Sequence, residues 1–165
     1  MPLPKRTHLT RLGRIFRLPV GEIYLLTINC ADRRPILADA ARARIVIETF
    51  TDYATRHRYG LLLYTVMPDH LHAIVVASDA GSGLSKFINH WKTWCTHKLR
   101  EAGVEGAIWQ KEFFDHRIRS ETSLTEKSEY VAHNPVRAGL VERPEDWPHT
   151  GGEWWEAYLA RGADT

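Results

Sequence analysis

Residues 61–76 read Leu61-Leu62-Leu63-Tyr64-Thr65-Val66-Met67-Pro68-Asp69-His70-Leu71-His72-Ala73-Ile74-Val75-Val76. Two apolar, β-branched runs flank Met67-Pro68-Asp69, so the segment predicts a β-hairpin with the proline in its turn. Strand side chains alternate between faces. His70 and His72 therefore share one face, and Leu71 points the other way, into a core. Two neutral imidazoles so placed can hold one divalent cation. The plainer alternative is a pair of half-exposed histidines on a sheet face.

Working outward, Glu22 to Cys30 reads as a first strand and Asp32-Arg33-Arg34-Pro35 as a turn. Leu37 to His57 carries Ala, Arg and Ile at helical spacing and predicts a first helix, ended by Tyr59-Gly60. Gly60 to Val66 and His70 to Ala77 are the hairpin strands, followed by a loop at Asp79 to Gly83. Leu84 to Arg100 predicts a second helix, with Leu84, Ile88, Trp91, Cys95 and Leu99 as its buried stripe. Gly103 to Gly106 break it. Phe113 to Arg119 alternates as a fourth strand, and Thr122 to His133 predicts a third helix stopped by Asn134-Pro135. A short helix is expected over Gly152 to Arg161.

The order is β-α-β-β-α-β with a further helix. It predicts an α+β, ferredoxin-like antiparallel sheet with two helices on one face and an added C-terminal helix bearing Tyr130. The first and third strands are then central. The histidines lie on the face away from the two packed helices, where the third helix can close over them. The expected organisation is a basic arm at 1–20, a domain at 21–150 and a tail at 151–165.

A chain of 165 residues suits one domain, and 44% hydrophobic residues is too rich for disorder. The apolar runs are too short to span a membrane, and no secretory signal is expected at the start. Cys30 and Cys95 have no metal or redox spacing and are read as buried, in a reducing compartment. No GxxxxGK[ST] loop occurs, which argues against a nucleotide cofactor. The net charge of +2 is unevenly spread: residues 1–20 carry +5 and residues 142–165 carry −4. Such an arm suits local contact with a polyanion, or is simply solvated.

Tyr130 and Asn134 are four apart on the third predicted helix and share a face, with His133 nearby. A tyrosine hydroxyl can act as a covalent nucleophile, although by composition alone Tyr130 is a packing residue. Asn134 could add an amide oxygen to a metal site, with His133 as its competitor. Arg117 and Arg119 share a face of the fourth strand, where they can grip phosphates or pair with Glu112 or another carboxylate. Lys86, His90, Lys92, Lys98 and Arg100 surround the second helix's apolar stripe, beside Trp94. This pattern suits single-stranded DNA, or an ordinary solvated face. Arg137 can reach a phosphate near Tyr130 or pair with Glu142. Arg11, Arg14 and Arg17 can contact a DNA stem.

Three segments, MPDHLHAIV (67–75), WQKEFFDHRIR (109–119) and EYVAHNPVRAGLVERPEDWPHT (129–150), together resemble the REP-associated tyrosine transposases. These are bacterial single-tyrosine members of the HUH family, related to small insertion-sequence transposases. The resemblance implies that His70 and His72 bind Mg²⁺ or Mn²⁺, that Tyr130 attacks a DNA phosphodiester to form a 5′-phosphotyrosine, and that Asn134 is the third ligand. It implies a substrate of single-stranded DNA folded as a hairpin, a cytoplasmic, nucleoid-associated protein, and a monomer or homodimer. His149-Thr150 departs from the family's aromatic or Trp-Ser pair after Asp-Trp-Pro, a difference that bears on DNA selection. Rival readings are a self-mobilising insertion-sequence transposase, a catalytically silent hairpin-binding protein, and a water-using phosphoesterase indifferent to Tyr130.

Overall fold

The computed structural model describes residues 19–77 and 83–162. Arg11, Arg14 and Arg17, and most of the loop at 79–83, lie outside the described residues. Strand β1 (Glu22–Asn29) leads through short 3₁₀ turns to helix α1 (Ala40–Arg56). This helix starts later than the apolar pattern suggests. Asp39 caps it, its carboxylate accepting from the Ala41 and Arg42 N–H groups at 2.9 and 3.1 Å. The hairpin β2 (Tyr59–Met67) and β3 (His70–Ala77) follows, then α2 (Leu84–Glu101) and β4 (Phe114–Ile118). Helix α3 (Glu121–Ala132), the single turn α4 (Asn134–Arg137), the two-residue strand β5 (Thr150–Gly151) and α5 (Glu153–Gly162) complete the chain.

The five strands form one sheet in the order β4-β1-β3-β2-β5, each pair antiparallel. The first and third strands are central, as the ferredoxin-like order requires. Alternation sends Leu26, Ile28, Leu71, Ala73 and Val75 to one face, against Phe50 of α1 and Ile88, Trp91 and Leu99 of α2. Trp91 is fully buried, edge-on to Phe50 at 5.0 Å, with its indole N–H donating to Thr49 Oγ1. Each such large side chain stabilises the fold by about 1.5–3 kcal/mol. Cys30 and Cys95 are free thiols on this side, each pushed up to about 12 by burial and so inert.

The opposite face is divided. Ile23, Leu63, Ile74, Val76 and Ile118 pack under Leu124 and Val131 of α3 and Trp154 and Trp155 of α5. The remainder of that face carries Thr27, His70 and His72. A bulge between Leu61 and Leu63 shifts the β2 register, and both Leu62 and Leu63 join this second cluster. Gly152, at φ +112°, sits against the bulge, where a Cβ would lie 2.5 Å from the Leu62 carbonyl oxygen.

Helix α3 ends at Ala132, just before Asn134-Pro135 as the sequence suggests, but a further single turn follows. The ladder breaks at His133 and resumes as α4, with Pro135 in its first turn, where a missing N–H costs nothing. Strand β5 was not foreseen: Thr150 and Gly151 add to the β2 edge, held by the Val66 N–H to His149 carbonyl bond of 3.0 Å. Trp147 donates its indole N–H to the Val66 carbonyl, which ties the Asp-Trp-Pro segment to the body. Among the described residues no helix is long and apolar enough to cross a membrane.

Candidate active site

The β2–β3 turn sets the histidines. Cys30 N–H donates to the Asp69 carbonyl at 2.9 Å and Leu37 N–H to the Pro68 carbonyl at 2.8 Å, so backbone pins the turn from two sides. Met67 pairs with His70 and Thr65 with His72 on β2; Asn29 and Thr27 pair with them on β1. Both histidines are about 8% exposed, their rings 4.6 Å apart between centroids.

Each Nδ1 is engaged within the protein. His70 Nδ1 lies 2.7 Å from Asp69 Oδ1, and His72 Nδ1 lies 3.0 Å from Thr27 Oγ1. Asp69 in turn accepts from Arg33 Nε at 2.9 Å, and Arg33 Nη1 donates to Asn29 Oδ1 at 3.1 Å. Arg33 and its neighbour Asp32 both adopt positive φ, near +52° and +53°, a left-handed conformation that costs energy in non-glycine residues. Burial lowers the His72 pKa to about 3, with the nearby His70 adding to the effect. Burial also lowers that of His70, against the opposing pull of Asp69. Burial alone would raise the Asp69 pKa, but hydrogen bonds from His70 and Arg33 outweigh it and hold the carboxyl below its usual range. Both imidazoles are therefore neutral at pH 7, the protonation state that ligates metals.

Helix α3 brings the remaining groups. The Tyr130 ring stands 6.3 Å from that of His72, centroid to centroid, and is half-exposed. Asn134, one turn on, places Nδ2 3.3 Å from His70 Nε2. His133 turns back to its own helix, its Nδ1 3.0 Å from the Glu129 carbonyl. Of the two competitors for a third position, Asn134 is the one beside the imidazoles. Arg137 lies over the Tyr130 ring at 3.9 Å and donates to the Tyr130 carbonyl at 2.6 Å, not to Glu142.

These residues fit a divalent cation. Swapping the oxygen and nitrogen of the Asn134 amide, which have nearly the same shape, turns an acceptor toward His70 Nε2. The 3.3 Å separation is close to the roughly 3 Å between adjacent ligands on a cation with bonds of about 2.1 Å. Asp69 and Thr27 hold the outer nitrogens, the usual support for metal-binding imidazoles. Among the described residues no group of three or more His, Cys, Asp or Glu could hold a metal, so a cation here would need the Asn134 amide beside the two imidazoles.

Other predicted contacts lie elsewhere. Arg117 pairs with Tyr24, and that row belongs to the α1/α2 face; Arg119 is exposed and lies just past the end of β4. Arg117 is moreover bound to Glu22 at 2.9 Å. The two-residue period was right, but only the register could say which face it served. Lys92, read as a surface cation, is buried: its Nζ donates to the carbonyls of Gln110 (2.9 Å), Lys111 and Glu112 (both 3.4 Å). Its long stem carries the charge to these three loop carbonyls. Lys86 is exposed on α2, behind the sheet from Tyr130. A groove of about 580 Å³ between α1 and α2, lined by Thr49, Trp94 and Lys98, is likewise on that far side. Sequence reading missed Asp69, Thr27 and Arg33. Only Asp69 left a signal, as a carboxylate immediately before His70 in the turn.

The family described as Transposase IS200 like matches residues 21–134, more than half of the chain. The chain belongs to the IS200-like transposases. This transposase is similar to the REP-associated tyrosine transposase of Escherichia coli K12, with 24% identity over 128 residues, covering 78% of this chain and 74% of that one. A Haemophilus influenzae protein assigned to the same class is 26% identical over 141 residues, covering 79% of each. In fold the IS200-like transposase is similar to a REP-associated tyrosine transposase bound to a REP hairpin, at a TM-score of 0.71 and 23% identity, covering 89% of this chain and 86% of that one. It also matches a Deinococcus radiodurans protein assigned as a transposase, at a TM-score of 0.53 and 21% identity, covering 70% and 93%. Membership of this family makes the protein a DNA-processing enzyme by class.

Proposed function

We propose that this transposase cleaves and rejoins single-stranded DNA beside a REP-like hairpin, with Tyr130 as nucleophile. The observation that carries the reading is the meeting of Tyr130 with His72 and of Asn134 with His70 at one end of one sheet face. His70, His72 and Asn134 would hold Mg²⁺ or Mn²⁺. Such a cation, when bound, withdraws charge from a phosphate oxygen and orients the scissile bond.

The protein's own groups do the rest. Tyr130 Oη attacks the phosphorus in line and loses its proton to solvent. The bond from phosphorus to the 3′ oxygen breaks, and that oxygen takes up a proton. The strand then ends in a free 3′-hydroxyl, while its 5′ phosphate is linked to Tyr130. Attack by a 3′-hydroxyl reverses the step, and the phosphotyrosine conserves the bond energy, so no nucleotide cofactor is required. Arg137, stacked on the Tyr130 ring, holds the nucleophile's orientation and sets a positive charge beside the incoming phosphate. Support for a hairpin substrate comes from the structural relative bound to a REP hairpin.

The test is a cleavage assay on single-stranded palindromic DNA from beside the gene, read on a denaturing gel with Mg²⁺, Mn²⁺ or chelator. A metal-dependent protein–DNA adduct in wild type, absent in Tyr130→Phe, is the expected result. Cleavage that persists in Tyr130→Phe would mean a water-using phosphoesterase. Tight binding without cleavage in either protein would mean a silent hairpin-binding module. Size-exclusion chromatography with and without DNA separates a monomer from a homodimer.

A further inference from the structure

Phe114 and Tyr130 are the most exposed aromatic rings (Phe, Tyr, Trp) among the described residues, at 62% and 52%. The sheet register relates them. Phe114 pairs with Thr27, and Thr27 pairs with His72. Paired residues share a face, so Phe114, Thr27 and His72 form one row on the side that carries Tyr130. His116 follows in the next row, against Leu25. Thr27 and Leu25 are only half-buried, and β4 is the edge of the sheet. The result is an open shelf beside the candidate nucleophile, with a phenyl ring at its rim. The adjacent Phe113 has the opposite parity: it packs on the α1/α2 core, with the Lys92 ammonium 5.7 Å from its ring. One ring of the pair thus serves the core, and no packing accounts for the other.

We infer that Phe114 is a stacking platform for an unpaired base of the strand that Tyr130 attacks, a positioning residue for the nucleotide beside the scissile phosphate. The inference rests on the reading of Tyr130 given above. Two strand spacings separate the Phe114 row position from His72, about 10 Å. That places a stacked base next to the reacting phosphate or one nucleotide beyond. The occupant is a nucleobase because the shelf is continuous with the Tyr130 site and offers a π-face. Aromatic rings on an open sheet face hold single-stranded bases whatever their sequence.

The test uses the full chain in a Tyr130→Phe background, which binds without cutting. The probe is a hairpin oligonucleotide with a single-stranded extension carrying 5-iododeoxyuridine at each position in turn. A fully paired duplex serves as comparison. A photocrosslink mapped to Phe114, with affinity for the extended hairpin about tenfold lower in Phe114→Ala, retained in Phe114→Trp and unchanged for duplex, is expected. Phe114→Ala binding the extended hairpin as tightly as its parent would overturn the platform, as would a parent that does not bind the extension. The adduct assay, run with Tyr130 intact, separates the two ideas. If affinity depends on Phe114 but no adduct ever forms, the platform stands and the tyrosine chemistry falls. If adducts form and affinity ignores Phe114, the reverse holds.

Discussion

On the α1/α2 face, Leu71, Ala73 and Val75 of β3 are buried in one apolar cluster with Phe50, Ile88 and Trp91. On the other face, the same strand places Ile74 and Val76 under α3 and α5, then changes to His72 and His70 within one strand length. β3 is buried along its whole length on both faces. The two faces differ in how the buried groups are satisfied. Apolar rows need only close packing. The polar rows need partners, which Thr27, Asp69, Asn134 and the Thr65–Thr150 hydroxyl pair provide. If one face of this sheet carries stability and one end of the other the proposed chemistry, substitutions on the two should separate cleanly.

The widest separation is expected at Tyr130. Tyr130→Phe should reduce DNA cleavage by at least about a thousandfold while leaving unfolding within about 0.5 kcal/mol of wild type, since the ring is half-exposed. A large loss of stability would make Tyr130 a packing residue. The mirror experiment is Trp91→Ala, which should cost about 3–5 kcal/mol in urea unfolding. At temperatures where the variant stays folded, the rate of cleavage should be nearly unchanged. Asp69→Asn probes the boundary between the two regions. It keeps the volume but loses the carboxylate that holds His70 and Arg33, and Mn²⁺ affinity by calorimetry should weaken roughly 10–100-fold.

The pH dependence sharpens the comparison further. His72 in the folded, metal-free protein has a pKa near 3, below its ordinary 6.5, so the unfolded chain binds the extra proton more readily. Stability carried by the neutral ring is complete above about pH 6.5 and is lost progressively as pH falls toward 3. Thermal melts in chelator should show Tm falling across that window, and His72→Gln should flatten the slope. An unchanged slope in that variant would place the pH sensitivity elsewhere. The smallest effect belongs to Arg117→Gln. It breaks a half-exposed ion pair with Glu22 on the far face and should cost about 0.2–1 kcal/mol, with DNA cleavage unaltered.

Much of this was legible without coordinates, because it depends on local periodicity. The His70-Leu71-His72 alternation requires two imidazoles on one side whatever the sheet order. The four-residue step from Tyr130 to Asn134 predicts one helix face, and both do reach the histidines, although Asn134 opens α4 rather than continuing α3. Arg117 obeys the same alternation, yet its register places it on the α1/α2 face and pairs it with Glu22, while Arg119 lies past the end of β4. Parity within a strand says nothing about which neighbour it pairs with. Lys92 escaped for a related reason: a lysine beside an apolar stripe reads as surface unless carbonyls from a distant loop are known to meet it.

The sequence by itself determined the order of the four long strands and three long helices, the placing of Leu71 on the face opposite two histidines, and the type of chemistry that imidazole and phenol groups can perform. These follow from backbone geometry and functional groups, which neighbours in the chain are enough to define. Only the tertiary structure decided that Asn134 and not His133 stands beside His70, that Arg33 and Asp69 brace it, and that Phe114 shares a row with His72. Apart from the contact between the neighbours Asp69 and His70, each of those facts joins residues more than thirty positions apart. Such contacts are fixed by sheet register and by how α3 packs on the sheet, and neither can be read from residues close in sequence.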